Sequence, residues 1–165
     1  MKHLIPFIIF PLVFANCRIK VPGNLLLNSW VLQSYNGIPG EYELRPGARI
    51  EFLSTSNISI SCDTTVLRGF YDFSRHKKYI YIPRSGKIDK QYPEFPNAMV
   101  NEGQAIGKAN DRIIDDLMKT DKQRGYEIAY FASRISGGRI EYALHGDTLS
   151  ILNSDGVFLF LKKPY

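Results

Sequence analysis

The sequence predicts an α+β domain, a small antiparallel, strongly curved sheet or incomplete β-barrel of eight to nine strands with one inserted helix. Three observations predict it. Short segments with an apolar–polar period of two recur along most of the chain, separated by clusters of Gly, Pro, Asn and Asp. Between about Met99 and Thr120 the period changes to roughly three and a half. Aromatic residues make up 13% of the chain, with ten Tyr and ten Phe, a composition that favours strands.

The chain opens with a leader. Lys2 gives a short positive start, and Leu4 to Ala15 is an apolar run broken only by Pro6 and Pro11. A bilayer-spanning helix needs about 20 apolar residues, and this run is shorter; as a strand it would be interrupted by its prolines. Residues 1–16 therefore read as a secretory signal peptide. Two ends of the leader stay open. Cleavage after Ala15, following Val13-Phe14, would release a soluble protein. Phe14-Ala15-Asn16-Cys17 has the form of a relaxed lipobox, in which Cys17 becomes the lipidated N-terminus, residues 17–24 a tether, and the membrane a partner through that anchor. The lipid reading is favoured because a cysteine stands directly behind the apolar run. Only Cys17 and Cys62 exist, so one disulfide is the maximum. With Cys17 acylated, Cys62 is a lone thiol, read as a small packing residue.

From Leu25 to Tyr165 the chain reads as one domain. Ser29 to Tyr35 is the first strand, with Trp30, Leu32 and Ser34 on one face, and Asn36-Gly37-Ile38-Pro39-Gly40 ends it. Ala48 to Leu53 follows an Arg45-Pro46-Gly47 turn, Ile50 and Phe52 pointing inward and Arg49 and Glu51 outward. Asn57 to Ser61 repeats that pattern. The central stretch from Ser61 to Ile82 holds a polar turn at Cys62-Asp63, a strand through Gly69 to Phe73, a basic turn, and a strand from Tyr79 to Ile82. Pro83 to Pro96 reads as a long loop.

In the helix, Ile106, Ala109, Ile113, Ile114, Leu117 and Met118 share a face, with Lys108, Asp111, Arg112 and Asp115 turned to water; Gly103 and Gly107 weaken its first half. Lys122 to Gly125 is read as the helix exit and Tyr126 to Phe131 as a strand. Gly137-Gly138 turns the chain into a strand from Arg139 to Leu144, and His145-Gly146-Asp147 makes a tight turn into Thr148 to Leu152. Asn153-Ser154-Asp155-Gly156 is a hairpin signal leading to the last strand, Val157 to Leu161.

Charge and motifs bound the function. Behind the leader, 20 Lys and Arg stand against 16 acids, a balance of +4. The basic residues are scattered over Arg75, Lys77 and Lys78, then Lys119, Lys122 and Arg124, then Lys162 and Lys163, which reads as solvated turns and ends, with no nucleic-acid partner. His76 and His145 sit in turns without Cys or His at ligand spacing, so no metal or other cofactor is expected. Gly103 to Lys108 has three residues between its glycines where a phosphate loop needs four. Ser74-Arg75-His76-Lys77 lacks the helix start that S-x-x-K acylation requires, and Asp115-Asp116 are adjacent on a helix and diverge. No catalytic residue is assigned, and the chain is expected not to be an enzyme.

The order of these pieces resembles the META/HslJ-like domain. That family has an opening W-x-L strand with a following Gly, matched by Trp30, Leu32 and Gly37; a central G-C-N-x-n-G-x-Y segment, matched by Ser61-Cys62-Asp63 and Gly69-Phe70-Tyr71; a helix led by an acid, here Glu102; and a closing run matched by Tyr142, Leu144, Gly146, Asp147, Leu149 and Ile151. Ser61 and Asp63 depart from the family's Gly and Asn, and the second cysteine of the family's pre-helix motif is missing from Asn97-Ala98-Met99-Val100. A role built on a cysteine pair is therefore not implied. The resemblance implies an incomplete-barrel α+β fold in a bacterial envelope protein, secreted across the inner membrane, often lipid-anchored and stress-associated, with no established reaction. On that reading Trp30, Cys62, Asp63, Gly69, Tyr71, Gly146 and Asp147 are structural signature residues.

Three functions follow. The first is a non-enzymatic envelope protein that binds an unknown envelope protein or small ligand, or protects the envelope under stress. The second is a lipocalin-like carrier of a small apolar ligand, suggested by Asn28-Ser29-Trp30 at the first strand and by the aromatic-rich strands. The third is a secreted enzyme using Cys62 or His145.

Overall fold

Alternating apolar residues build eight strands, and a change of period builds a helical hairpin between the fifth and the sixth. The computed structural model describes residues 27–37, 46–54, 56–73, 78–84, 97–136 and 140–163, the side chains of 97–100 excepted. The leader, Cys17, the tether and residues 85–96 of the expected loop lie outside the described residues. The strands are β1 (Ser29–Gly37), β2 (Arg49–Phe52), β3 (Asn57–Cys62), β4 (Thr65–Phe73), β5 (Lys78–Tyr81), β6 (Glu141–His145), β7 (Thr148–Asn153) and β8 (Gly156–Lys162); the helices are α1 (Asn97–Thr120) and α2 (Lys122–Ile135).

All strand pairs are antiparallel in the order β5-β4-β3-β2-β1-β8-β7-β6. The sheet curls until its two outer strands meet. Ile140, just before β6, donates its N–H to the Lys78 carbonyl of β5 at 2.8 Å. Across the same seam Phe73 of β4 stacks on Tyr142 of β6, ring centroids 4.4 Å apart. The result is the α+β, nearly closed barrel that the alternation predicts.

Direct cross-strand partners share a face, so the register identifies the barrel interior. Trp30 opposes Ile50, Ile50 opposes Ile60, and Ile60 opposes Leu67. Leu32 opposes Phe160, which opposes Leu149. All of these side chains are buried in one core. Ser34 is the exception among the expected inward residues. A bulge between Leu32 and Ser34 shifts the register, leaving Ser34 exposed and turning Tyr35 inward against Phe158 at 4.6 Å.

The helical region differs from expectation in two ways. First, residues 122–135 are a helix, so Lys122 to Gly125 is its first turn and Tyr126 to Phe131 is not a strand. Asp121 caps it, accepting a hydrogen bond from Arg124 N at 3.3 Å. The apolar stripe Gly125, Ile128, Phe131, Ala132 and Ile135 is buried with helical spacing, which overrides the β-propensity of Tyr126, Tyr130 and Phe131. Second, the buried face of α1 is rotated: Gly103, Gly107, Asn110 and Ile114 are buried, whereas Ala109 and Ile113 are exposed.

Asn110 shows why α1 sits as it does. Carrying the pairing of Phe70 with Tyr81 two residues further places Pro83 opposite Arg68, and proline has no N–H to give to the ladder. The Asn110 amide takes its place. Its oxygen accepts from Arg68 N at 3.1 Å, and its nitrogen donates to Arg68 O at 2.8 Å and to Pro83 O at 3.0 Å. Ile106 then lies with Phe70, Tyr79 and Tyr81 on the outer face, and Ile114 joins the main core.

Candidate functional site

The strand ends define two mouths, finished differently. At the first mouth lie the β3–β4 turn and the β7–β8 turn. In the strand order two strands separate these hairpins on either side, so they face each other across the barrel. Helix α2 spans from one to the other. A 14-residue helix is about 21 Å long. Near its start, Arg124 ion-pairs with Asp63 and donates to Thr64 Oγ1 at 2.8 Å. Near its end, Arg134 lies 3.4 Å from an Asp155 carboxylate oxygen, and Asn153 Nδ2 donates to the Arg134 carbonyl at 2.7 Å. Between these clamps Ile128, Phe131, Ala132 and Ile135 reach into the barrel.

The second mouth gathers the start of β1, the ends of β2 and β8, and the β4–β5 side of the seam. Its inner wall is aromatic. Phe52 meets Tyr71 edge to face at 4.8 Å, Tyr71 meets Phe73 at 5.2 Å, and Phe73 stacks on Tyr142. Phe73 and Tyr142 are half-buried. Pairing puts two lysines on the same inner face: Lys78 opposes Phe73 and Lys162 opposes Trp30. The Lys78 ammonium sits 5.5 Å from the Tyr142 ring centroid. Burial raises the hydroxyl pKa of Tyr71, with a smaller push from Tyr142, and burial raises that of Tyr142, so both are neutral donors at physiological pH.

The expected signature residues do not converge on either mouth. Trp30 is core, 1% exposed. Cys62 ends β3 and is half-buried; burial, aided by the charge of Glu127, pushes its thiol up to about 12, so it is protonated and a poor nucleophile at neutral pH. Asp63 begins the β3–β4 turn at φ 53°, a left-handed position that Asp tolerates better than most residues. Gly69 is needed for close approach, because a Cβ there would meet the Tyr81 carbonyl at 2.3 Å. The Tyr71 hydroxyl donates to the Ser54 carbonyl at 2.5 Å. Gly146 takes φ 58° in the β6–β7 turn, and the Asp147 carbonyl accepts from Lys162 N at 2.8 Å. His145 is the exposed last residue of β6.

Sequence reasoning did not find the clamps, the Asn110 bridge or the inward lysines. Lys78, Arg124 and Lys162 read as solvated; Arg124 instead bonds a distant turn, and both lysines are half-buried on the inner face. A polar residue at the middle of the Ile106, Asn110, Ile114 stripe was the available signal for the bridge. Among the described residues, no group of three His, Cys, Asp or Glu could hold a metal ion, and no helix is long and apolar enough to cross a membrane.

Fold and site together define an α+β incomplete barrel with one mouth corked by a helix and the other faced with aromatics and lysines. Comparison of the chain with models of known protein families, with curated proteins and with solved structures returns no match.

Proposed function

We propose that the protein is a non-enzymatic, secreted or membrane-anchored envelope protein of META/HslJ type, anchored through Cys17, with a stress-related binding or protective role. The observation that carries the reading is the placing of the signature residues. Trp30 fills the core, Asp63 and Gly146 make left-handed turns, Gly69 admits a neighbouring strand, and Tyr71 bonds a backbone carbonyl. Each of these five residues serves the fold. The filling of the barrel by Ile128, Phe131 and Ile135 weighs against a carrier, since a lipocalin-like protein keeps that space for its ligand.

Mass spectrometry of the mature N-terminus tests the reading. A diacylated or triacylated Cys17 is expected. An unmodified chain beginning at Asn16 overturns the anchor. An apolar small molecule retained by the purified protein in native mass spectra and released by organic extraction would favour the carrier instead.

A further inference from the structure

Backbone hydrogen bonds draw three segments together on the rim of the open mouth. The Asn28 carbonyl accepts from Phe52 N at 3.3 Å, and the Ser29 carbonyl accepts from Lys163 N at 2.9 Å. Leu27, Leu53 and Lys163 are therefore neighbours. Leu53 is 51% exposed and Leu27 39%, values unusual for leucine beside a core, and Lys163 is exposed as well. Behind them stand Lys78 and Lys162 on the inner wall. Asp72, Asp147 and Glu51, which opposes Ser29, are acids near the same rim, and the lysines stand among them. Leucines that could enter the acyl boundary, set among cations that could meet headgroups, form an interfacial surface.

The course of the chain selects the occupant. Cys17 precedes Leu27 by ten residues, which span at most about 35 Å when extended. The chain joins β1 at this rim, so a lipid on Cys17 would attach the domain from the side of this mouth. We propose that the rim formed by Leu27, Leu53, Lys78, Lys162 and Lys163 docks on an anionic phospholipid surface. The choice of a bilayer rests on the lipid reading of Cys17; the surface itself does not.

The test uses the secreted chain carrying Cys17→Ser, which cannot be acylated, and vesicles of phosphatidylcholine with and without phosphatidylglycerol. Co-sedimentation is expected with the anionic vesicles and not with the neutral ones. Lys162→Gln and Lys163→Gln should each weaken partitioning about fivefold, and Leu53→Asp should weaken it further. Leu152→Asp, also exposed but on the outer face of β7, should leave it unchanged. Circular dichroism of each variant separates loss of docking from loss of fold. Failure to pellet with anionic vesicles, equal pelleting with neutral ones, or a concentration-dependent dimer abolished by Leu53→Asp overturns the proposal; the last outcome would make a second copy the occupant. A Cys17 found without lipid, in a chain whose Cys17→Ser form still pellets, overturns the anchor alone.

Discussion

At one mouth of the barrel, Ile128, Phe131, Ala132 and Ile135 of α2 reach between the strands and are almost wholly buried; at the other, Phe73, Lys78, Tyr142 and Lys162 stand half-buried on the inner wall, with no described helix across them. The interior of an eight-stranded barrel is just wide enough for side chains to fill. Strand residues fill its middle here, and the two ends are completed differently. The corked end is a continuation of the core, held by ion pairs at its margin. Among the described residues, the other end finishes in aromatic rings and ammonium groups, which tolerate water at one edge. Stability should therefore concentrate at the corked mouth, and tolerance to change at the open one.

The sharpest test pairs one phenylalanine from each end. Phe131→Ala removes a fully buried ring of α2 from the main core, and should cost about 3–5 kcal/mol in urea unfolding. Phe73→Ala should cost roughly half as much, because its ring is partly exposed and its main loss is the Tyr142 stack. Equal losses would end the distinction between the mouths. Next in size is Asn110→Ala. It strands the part-buried N–H and C=O of Arg68 and breaks a buried bond to the Pro83 carbonyl, and leaving such groups unpaired costs about 1–3 kcal/mol. Asn110→Asp should not rescue it, since the carboxylate can accept from Arg68 N but cannot donate to the two carbonyls.

Alkaline pH probes the corked end by its chemistry. The thiol of Cys62 has an ordinary value of 9.0 and is pushed up to about 12 in the fold. Below pH 9 both folded and unfolded chains keep the proton, so Cys62 leaves stability unchanged. As pH rises from 9 toward 12 the unfolded chain releases it and the folded chain does not, so stability falls across that window. Cys62→Ala should flatten this part of the profile. Tyr71 and Tyr142, both raised from 10.0, add a decline at higher pH in either protein. A native-state thiol that reacts with Ellman's reagent at pH 8 as quickly as the unfolded chain would contradict the burial of Cys62.

How much of this could be read beforehand follows from the range of the forces involved. The strands were legible because alternation is local: Ile50 and Phe52 against Arg49 and Glu51 announce β2, and the Asn153 to Gly156 turn announces the β7–β8 hairpin. Helix α2 was hidden by its own centre. Tyr126, Ile128 and Tyr130 alternate like a strand, and only the longer window from Asp121 to Ile135, with its cap and its Ile128, Phe131, Ala132, Ile135 stripe, reveals a helix. The inward course of Lys78 depends on its pairing with Phe73, which no local pattern specifies. The Asn110 bridge answers a missing N–H at Pro83, 27 positions away. Such features become visible only once the sheet is assembled.

The smallest expected effect concerns the margin of the cork. Arg124 joins Asp63, Thr64 and Asp121, but both it and Asp63 remain substantially exposed, so solvent screens the pair. Arg124→Ala should cost about 0.5–1 kcal/mol, in the range of surface ion pairs. Arg134 and Asp155 are less exposed and their pair should be worth somewhat more than the Arg124 pair. A double-mutant cycle on Arg124 and Asp63, repeated at high salt, separates the ion pair from other consequences of each truncation. The coupling should shrink with salt. Hydrogen exchange of α2 sharpens the point: if the clamps fix the cork only at its ends, Arg124→Ala should speed exchange in the first turn of α2 and leave Ile128 to Ile135 protected. Uniformly faster exchange along α2 would mean that the Arg124 clamp, and not the buried stripe, holds the helix in the mouth.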